Sequence, residues 1–280
     1  MSDAGDTNDT VLSVRSGRLS FGERTLWSDL DLDLRRGEFL TVLGSNGSGK
    51  SSLLKAVLGL QRLTAGSITI DGRTVTHGDR HVGYVPQQRL IPPGTPMRGR
   101  DLVALGLDGH RPGLPMLGRR EARRRVTEMI EAAGATGYAD RPVGRLSGGE
   151  QQRLRVAQAL VGDPSVLLCD EPLLSLDLQQ QRAVSALIDA RRRSHGTPVV
   201  FVTHDVNPIL AATDRILYFA NGRHRLGTPD EVLRSDVLSE LYGTPVEVAR
   251  IRGRVVVLGT PDDAHCEADH GDQVHQRWAG

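Results

Sequence analysis

The segment Phe39-Leu40-Thr41-Val42-Leu43-Gly44-Ser45-Asn46-Gly47-Ser48-Gly49-Lys50-Ser51-Ser52 sets the architecture of this chain. An apolar run comes first, a glycine-rich part follows, and residues 53–58 then have the composition of a helix. A strand, a glycine-rich turn and a helix in this order are the context of a phosphate-binding loop of the form G-x4-G-K-[S/T]. The alternative is a glycine-rich strand-to-helix turn that binds no ligand.

The residue types of this segment suit the phosphates of a nucleotide. Glycines allow positive φ angles and let backbone N–H groups approach an oxyanion, and the start of a helix adds aligned donors and a favourable dipole. Lys50 can reach the terminal phosphates, and the Ser51 hydroxyl suits a Mg²⁺ ion that bridges them. Lys50 and Lys55 are the only lysines of the sequence, and one of them fills the motif position. The predicted phosphate-binding residues are Gly44, Ser45, Asn46, Gly47, Ser48, Gly49, Lys50, Ser51 and Ser52.

Composition predicts one large domain, or one domain with a small additional lobe. The 280 residues include 38% hydrophobic and 25% charged residues, which is enough apolar material for a core.

A formal charge of +1 gives no electrostatic support for a nucleic-acid partner or an anionic membrane surface. No apolar run approaches the roughly eighteen residues of a membrane helix, and the acidic N-terminal segment is unlike a signal peptide. Cys169 and Cys266 provide no disulfide framework, as in a reducing cytoplasm. We therefore expect a cytosolic chain that reaches a membrane only through a partner.

Hydrophobic periodicity predicts an α/β fold with two kinds of sheet. Strict alternation at residues 30–34 indicates an antiparallel strand with one solvated face. After Gly149, helical segments alternate with buried apolar runs, which is typical of a mostly parallel, helix-covered sheet. We predict an antiparallel β layer beside a mixed parallel sheet core. The segments with strand character are residues 11–21, 30–34, 39–43, 67–70, 165–169, 198–202, 215–219 and a terminal hairpin at 246–258.

Residues 92–148 interrupt this pattern and predict an inserted α-helical lobe. Over residues 119–133 the apolar side chains recur with helical spacing and share one face. The arginine run at 123–125 suits a solvated helix face better than a partner-binding patch. We predict a nucleotide-binding domain over residues 11–260 with this lobe inserted, followed by a polar, disordered tail at 261–280.

A second group of chemistry-bearing residues follows the apolar run 165–169. Asp170 and Glu171 end this run, at the sheet edge where parallel sheets bind ligands and where the phosphate-binding loop also opens. One carboxylate can hold Mg²⁺, directly or through water, and the other can polarise the attacking water. An ordinary strand-ending turn is the alternative, but the phosphate-binding loop upstream favours catalysis.

Further motifs resemble those of the ATP-binding-cassette (ABC) ATPases. The segment Leu146-Ser147-Gly148-Gly149-Glu150-Gln151-Gln152-Arg153 is similar to the signature motif of that family, and it stands between the helical lobe and the acidic strand. Gln87 resembles the Q-loop glutamine, Ser175-Leu176-Asp177 the D-loop, and His204 the switch histidine. Phe21 precedes Gly44 at a spacing typical of the aromatic residue that stacks on adenine, although a lone phenylalanine could also pack in the core.

The resemblance implies an ABC-type P-loop NTPase that binds ATP and Mg²⁺ and hydrolyses ATP. Glu171 would be the general base, His204 would contact the γ-phosphate and the attacking water, and Lys50 would complete the catalytic set. The implied Mg²⁺ ligands are Ser51, Gln87 and, behind a water, Asp170. ATP would also contact Phe21, Gln87 and Asp177, and a second cassette, packed head to tail, would supply Ser147, Gly148 and Gly149 from the start of a helix.

The same resemblance implies the partners and the location. A cassette of this kind would lie at the cytoplasmic face of the cell membrane as a peripheral subunit, bound to a separate integral membrane permease and to a second ATPase subunit, with a homodimer expected. An extracytoplasmic solute-binding protein would take part indirectly, and no nucleic acid is expected. A soluble ABC ATPase without a transport role is the remote alternative, because such proteins usually carry two cassettes or a long coiled-coil insertion.

The transported solute is predicted from weaker resemblances. Residues 170–178, 101–110 and 241–243 resemble cassettes of zinc or manganese uptake systems, but importers of iron chelates or vitamins share much of this pattern. The tail carries side chains of metal-binding types, namely His265, Cys266, Glu267, His270 and His275. Their spacing does not align them on one helical face, so a solvated tail is favoured over a metal site.

Overall fold

The computed structural model describes residues 9–87, 90–108 and 118–259. Its strands are β1 (Thr10–Phe21), β2 (Arg24–Arg35), β3 (Phe39–Gly44), β4 (Ala65–Ile70), β5 (Arg73–Thr74), β6 (Val82–Val85), β7 (Val166–Asp170), β8 (Val199–Val202), β9 (Arg215–Ala220), β10 (Arg223–Gly227), β11 (Glu247–Ile251) and β12 (Arg254–Leu258). Its helices are α1 (Lys50–Val57), α2 (Gly99–Asp108), α3 (Arg119–Ala132), α4 (Gly148–Leu160), α5 (Leu178–His195), α6 (Pro229–Val232) and α7 (Ser235–Tyr242). Short 3₁₀ turns lie at Val143–Arg145 and Leu210–Ala212.

A six-stranded mixed sheet forms the centre of the molecule. Its strand order is β10-β9-β3-β8-β7-β6, and β10 alone among these pairs antiparallel to its neighbour. The central strands are mostly apolar and almost entirely buried because helices and a second sheet cover both faces. Their parallel direction brings Gly44, Val85, Asp170 and Val202 to the same sheet edge. The predicted mixed sheet is confirmed.

The second sheet is antiparallel, with the order β2-β1-β4-β5. Along β2, Leu30, Leu32 and Leu34 are buried and the aspartates between them face outward, as the alternation of residues 30–34 predicts. The buried leucines pack in one cluster with β3 side chains such as Leu40 and Val42. Each leucine buried in this way contributes roughly 1.5 to 3 kcal/mol. The shared core holds the predicted antiparallel layer against the central sheet.

The helical lobe lies between β6 and β7 in the chain and has a core of its own. Val126, Ile130 and Ala133 of the predicted amphipathic segment are buried against α2 and α4. On the exposed side, Arg124 forms ion pairs with Glu121 and Glu128 of the same helix. The apolar face and the solvated arginine face therefore lie where the periodicity places them.

The segment after β9 contains elements that the sequence analysis did not predict. Helices α6 and α7 pack with the terminal hairpin around a fourth buried cluster that includes Tyr218 and Tyr242, whereas Leu226 of β10 packs against the cluster shared by the two sheets. The predicted hairpin is present as β11 and β12, and its turn residues Arg252 and Gly253 both have positive φ, as in a two-residue hairpin loop of type I′.

Two further predictions concern the domain limits and the tail. The domain limits 11–260 and the lobe limits 92–148 remain predictions, although α2 and α3 fall within the latter. The tail at 261–280, with His265, Cys266, Glu267, His270 and His275, lies outside the described residues. Among the residues that are described, no helix combines the length and the apolar character needed to cross a bilayer.

Candidate functional site

The glycine-rich segment forms a tight loop between β3 and α1. Gly44 has φ 140, and a Cβ at this position would lie 2.2 Å from the backbone oxygen of Phe219 on the neighbouring strand. Gly49 has φ 104, and its Cβ would lie 2.8 Å from Cδ1 of the buried Trp27. Both positions therefore require glycine. Residues 50–52 begin α1, so backbone N–H groups of its first turn have no partner within the helix and are available to an anion.

Lys50 lies inside this loop. Its Nζ donates to the backbone oxygen of Gly44 at 2.5 Å and to that of Ser45 at 2.9 Å, and the residue is 6% exposed. The buried Ser48 Oγ has no hydrogen-bond partner in the described part of the chain. A buried positive charge, an unpartnered hydroxyl and the start of a helix form a site that fits phosphate oxygens.

Asp170 and Glu171 end β7 beside this loop. The Ser51 hydroxyl donates to Asp170 Oδ1 at 3.2 Å, which places α1 in contact with the acidic strand. Burial raises the pKa of Asp170, and the hydrogen bond from Ser51 opposes that rise. A serine hydroxyl and a buried carboxylate are oxygen ligands of the type that Mg²⁺ prefers, so this pair fits a magnesium site.

Gln87 and His204 both approach the carboxylate of Glu171. Gln87 Nε2 donates to Glu171 Oε2 at 3.3 Å, and His204 Nδ1 lies 4.0 Å from the same oxygen. The backbone of Glu171 is fixed by its N–H, which donates to the oxygen of Val202, and has φ 46. Three motifs that are far apart in the sequence thus meet at one carboxylate.

Phe21 ends β1 close to the loop and is 54% exposed. This exposure excludes the core position that the sequence analysis left open. Three residues further on, Arg24 donates from Nη2 to the backbone oxygen of Gly47 at 3.2 Å, so the β1–β2 turn is attached to the phosphate-binding loop. An exposed aromatic ring held there is suited to stacking on a base.

The signature residues form a separate group at the start of α4. Ser147 caps this helix: its Oγ accepts from the backbone N–H of Glu150, and its own N–H donates to the Glu150 carboxylate. Gly149 packs against the side chain of Gln180, whose backbone N–H donates to Asp177 Oδ1 at 2.8 Å. The start of α4, with Gly148 in its first turn, and the start of α5 are therefore packed together. The described contacts of Ser147 are with its own helix and not with the loop or the acidic pair.

Sequence reasoning missed several residues around the site. Tyr84 lies in β6 next to β7, and burial together with the charge of Asp170 raises its pKa to about 12. Trp27 packs beneath Gly49, and Asn207 holds the loop that carries His204. Alternation along 82–85 could have pointed to Tyr84, because it shares a strand with the segment that leads to Gln87. No local sequence pattern indicates the roles of Trp27 and Asn207.

The fold and this arrangement define the class of P-loop ATPases. The phosphate-binding loop, the two carboxylates at the end of β7 and the signature motif at the start of α4 occur together in this chain. Residues 27–174 match the sequence profile of the ABC transporter family, and the chain belongs to that family.

Three relatives are named as ATP-binding proteins of importers. The chain is 37% identical over 258 residues to the Fe(3+) ions import ATP-binding protein FbpC of Rhizobium etli, covering 88% of this chain and 71% of that protein. Identity to the sulfate/thiosulfate import ATP-binding protein CysA of Caulobacter vibrioides is 34% over 249 residues, covering 88% and 73%. Identity to the spermidine/putrescine import ATP-binding protein PotA of Bacteroides fragilis is 33% over 234 residues, covering 82% and 49%. The chain thus spans 49% to 73% of the length of these relatives.

Solved structures of ABC cassettes have the same fold. An ABC transporter assigned to the metal-chelate type, in an inward-facing conformation, matches with a TM-score of 0.74 and 26% identity, covering 89% of this chain and 96% of that one. The dimeric cassette MJ0796, bound to ADP and phosphate in a post-hydrolysis state, matches with a TM-score of 0.65 and 29% identity, covering 78% and 98%. The predicted ABC-type fold and ATPase class are confirmed. The relatives differ in the solutes for which they are named, so they leave the predicted zinc or manganese specificity without confirmation.

Proposed function

We propose that this chain is the ATP-hydrolysing subunit of an ABC importer and that it powers solute uptake through a separate membrane permease. The observation that carries this proposal is the meeting of Gln87 and His204 at the Glu171 carboxylate, 3.3 Å and 4.0 Å away. A single side chain of each type would be unremarkable. Their convergence beside a phosphate-binding loop supplies a base, a polar orienting group and a phosphate site in one place.

In this proposal each group of side chains holds one part of the substrate. The ATP phosphates lie on residues 44–52, with Lys50 among them, and the adenine stacks on Phe21. Ser51 and Gln87, with Asp170 behind a water, would hold Mg²⁺, which would neutralise charge on the phosphate oxygens. Because Asp170 is buried and its pKa is raised, a nearby cation would stabilise its charged form.

Hydrolysis then requires activation of one water molecule. Glu171 accepts a proton from this water while the water oxygen bonds to the γ-phosphorus and the bond to the bridging oxygen of ADP breaks. Gln87, which donates to the Glu171 carboxylate at 3.3 Å, and His204, 4.0 Å from it, would orient the carboxylate, and His204 would also contact the γ-phosphate. The products are ADP and phosphate.

We further propose that the active cassette is a homodimer with shared sites. Ser147, Gly148 and Gly149 stand at the start of α4, where backbone N–H groups and the helix dipole favour an anion. Since the described contacts of Ser147 stay within its own helix, the γ-phosphate that this turn would cover belongs to a second copy. Asp177, packed against the same turn through Gln180, would contribute at this interface.

A mixing experiment tests the shared site. Lys50→Ala disables a copy's own loop, and Ser147→Arg blocks the turn that it offers to its partner. Neither variant alone should hydrolyse ATP, but a mixture should, because each mixed dimer has one site built from the intact loop of one copy and the intact turn of the other. Phosphate release by the mixture is compared with the sum of the separate variants, and ATP binding by Ser147→Arg confirms that this variant is folded. A mixture no more active than that sum would contradict shared sites.

The permease would dock in a cleft between the central sheet and the helical lobe. This cleft has a volume of about 770 Å³ and is lined on one side by Tyr84 and Pro86 and on the other by Leu105, Gly106 and Arg125. Pro86 lines the cleft and directly precedes Gln87, which donates to the Glu171 carboxylate. A permease element bound in the cleft would therefore lie next to Gln87. With the permease docked there, the chain would be a peripheral subunit at the cytoplasmic face of the membrane, and a solute-binding protein would act on the other side.

For the solute we propose a divalent transition-metal ion, zinc or manganese. Support comes from the sequence resemblances at 170–178, 101–110 and 241–243 and from a relative named for the import of a metal ion, Fe(3+), whereas the structural neighbour of metal-chelate type fits the alternative. A chelate or vitamin importer is the alternative.

Cellular metal content tests this solute. Deleting the gene in its native host should lower zinc or manganese content under limitation of that metal, measured by elemental mass spectrometry. The wild-type gene should restore the content, and a Glu171→Gln copy should not. Unchanged zinc and manganese in the deletion strain, with loss of uptake of an iron chelate, would replace the metal-ion proposal by the alternative.

A further inference from the structure

Asn207 joins the terminal hairpin to the loop that carries His204. Its side-chain Nδ2 donates to the backbone oxygen of Val255 at 3.0 Å, and the Val255 N–H donates to Asn207 Oδ1 at 2.8 Å. Val255 lies in β12, whose other edge pairs with β11. The amide of Asn207 therefore pairs with the free edge of the hairpin as a neighbouring strand would.

The same side chain also shapes its own loop. Asn207 Nδ2 and the Asn207 backbone N–H both donate to Asp205 Oδ1 at 2.9 Å. The Thr203 hydroxyl donates to the backbone oxygen of Asp205 at 3.0 Å and accepts from the Asp205 N–H at 3.1 Å. Residues 203–207 thus form a turn that contains His204 and is closed by hydrogen bonds from Thr203 and Asn207 to Asp205. This turn is anchored to β12 through one side chain.

His204 depends on this turn for its position. Its side chain is 59% exposed, and its nearest described acidic partner, Glu171, lies 4.0 Å away. Packing supports the turn from below, because Val206 and Val255 belong to the same buried cluster. The hairpin in turn is attached to α7 by hydrogen bonds from the backbone N–H groups of Val246 and Val248 to serine side chains. A continuous set of contacts therefore runs from α7, through the hairpin and the turn at residues 203–207, to His204.

We propose that Asn207 is a positioning residue for ATP hydrolysis, through which the terminal hairpin sets the placement of His204. The proposal rests on the role proposed above for His204. Asn207 contacts neither the phosphate-binding loop nor the acidic pair, so its loss changes turnover and leaves nucleotide affinity unchanged. A rotation of the hairpin displaces the turn, and a small displacement of a catalytic group has a large effect on rate.

Replacing Asn207 by alanine tests the proposal. We expect kcat for ATP hydrolysis to fall by about tenfold or more, while the Kd for a fluorescent ATP analogue stays within about twofold. The matched control is Asn221→Gly, which removes a second asparagine hydrogen bond in the same part of the molecule, from Nδ2 to the Tyr242 oxygen. Asn221 has φ 50, which glycine adopts readily, and this variant should keep the wild-type kcat.

A second comparison separates positioning from loss of fold. In a His204→Ala background, Asn207→Ala should lower kcat by less than about twofold, because the group that it positions is absent. A fall in kcat of equal size with and without His204 would overturn the proposal, as would a folded Asn207→Ala variant with wild-type kcat. Equal turnover of wild type and His204→Ala would instead remove the proposed role of His204, and this inference with it. If Asn207→Ala yields no folded protein, Asn207→Ser must give the same pattern, because its hydroxyl cannot reach both Val255 atoms.

Discussion

Replacing Glu171 by glutamine is expected to stop ATP turnover and to leave ATP binding intact. Glutamine has nearly the same shape as glutamate. Its side-chain oxygen can still accept the hydrogen bond that Gln87 Nε2 donates to Glu171 Oε2 at 3.3 Å in the native chain. It cannot take a proton from water. Because general-base catalysis contributes roughly 10²- to 10⁴-fold, we expect a fall in kcat of at least about 100-fold.

The same substitution should reveal the dimer. With hydrolysis blocked, ATP stays bound between two copies and holds them together. Size-exclusion chromatography with ATP and Mg²⁺ should show a dimer for Glu171→Gln and monomer–dimer exchange for the wild type. Glu240→Gln is the matched control, since Glu240 is exposed on α7, away from the site. Turnover at the wild-type rate in Glu171→Gln would remove Glu171 from its role as general base.

Replacing Lys50 by alanine is expected to abolish ATP binding. The ammonium group lies inside the loop and donates to Gly44 and Ser45 oxygens, so it is held where phosphate oxygens would enter. Charge-assisted hydrogen bonds contribute about 1.5 to 3 kcal/mol each. When ATP is bound the ammonium would donate to phosphate oxygens, and losing two such bonds would weaken ATP binding by roughly 100-fold or more, which titration calorimetry can measure.

The control for this variant is the only other lysine. Lys55→Ala changes the same helix by the same chemistry, but Lys55 is exposed, so we expect micromolar ATP binding to persist. Circular dichroism should show both variants folded. Micromolar affinity in Lys50→Ala would rule out residues 44–52 as the phosphate site.

The parts of the site that lie within one strand–turn–helix unit could be predicted from the sequence. Lys50 and Ser51 follow β3 at a fixed spacing, and Asp170 and Glu171 end a buried strand, so local periodicity locates both groups at the same sheet edge. The positions of Gln87 and His204 came from the family resemblance, because a lone glutamine or histidine has no local signature. The structure then brings both to Glu171.

What the sequence did not reveal depends on contacts between distant segments. The pairing of Asn207 with Val255 uses backbone atoms of β12, and any residue at position 255 except proline would provide them. Strand β10 escaped prediction because its residues, Arg223 to Gly227, alternate only weakly and bury none of their side chains fully. Long-range hydrogen bonds of this type leave no periodic trace in a sequence.

The two walls of the cleft beside Gln87 belong to different hydrophobic cores. Tyr84 packs with the cluster shared by the two sheets, whereas Leu107 belongs to the core of the helical lobe. Helix α4 joins the core of the lobe, which contains Leu154, to a third cluster beneath the central sheet, which contains Val156. An element inserted into the cleft would therefore push the lobe away from the central sheet, and α4 is the helix that links the two. Because Ser147 caps the start of α4, this push would shift Ser147 relative to residues 44–52, which lie between β3 and the first turn of α1.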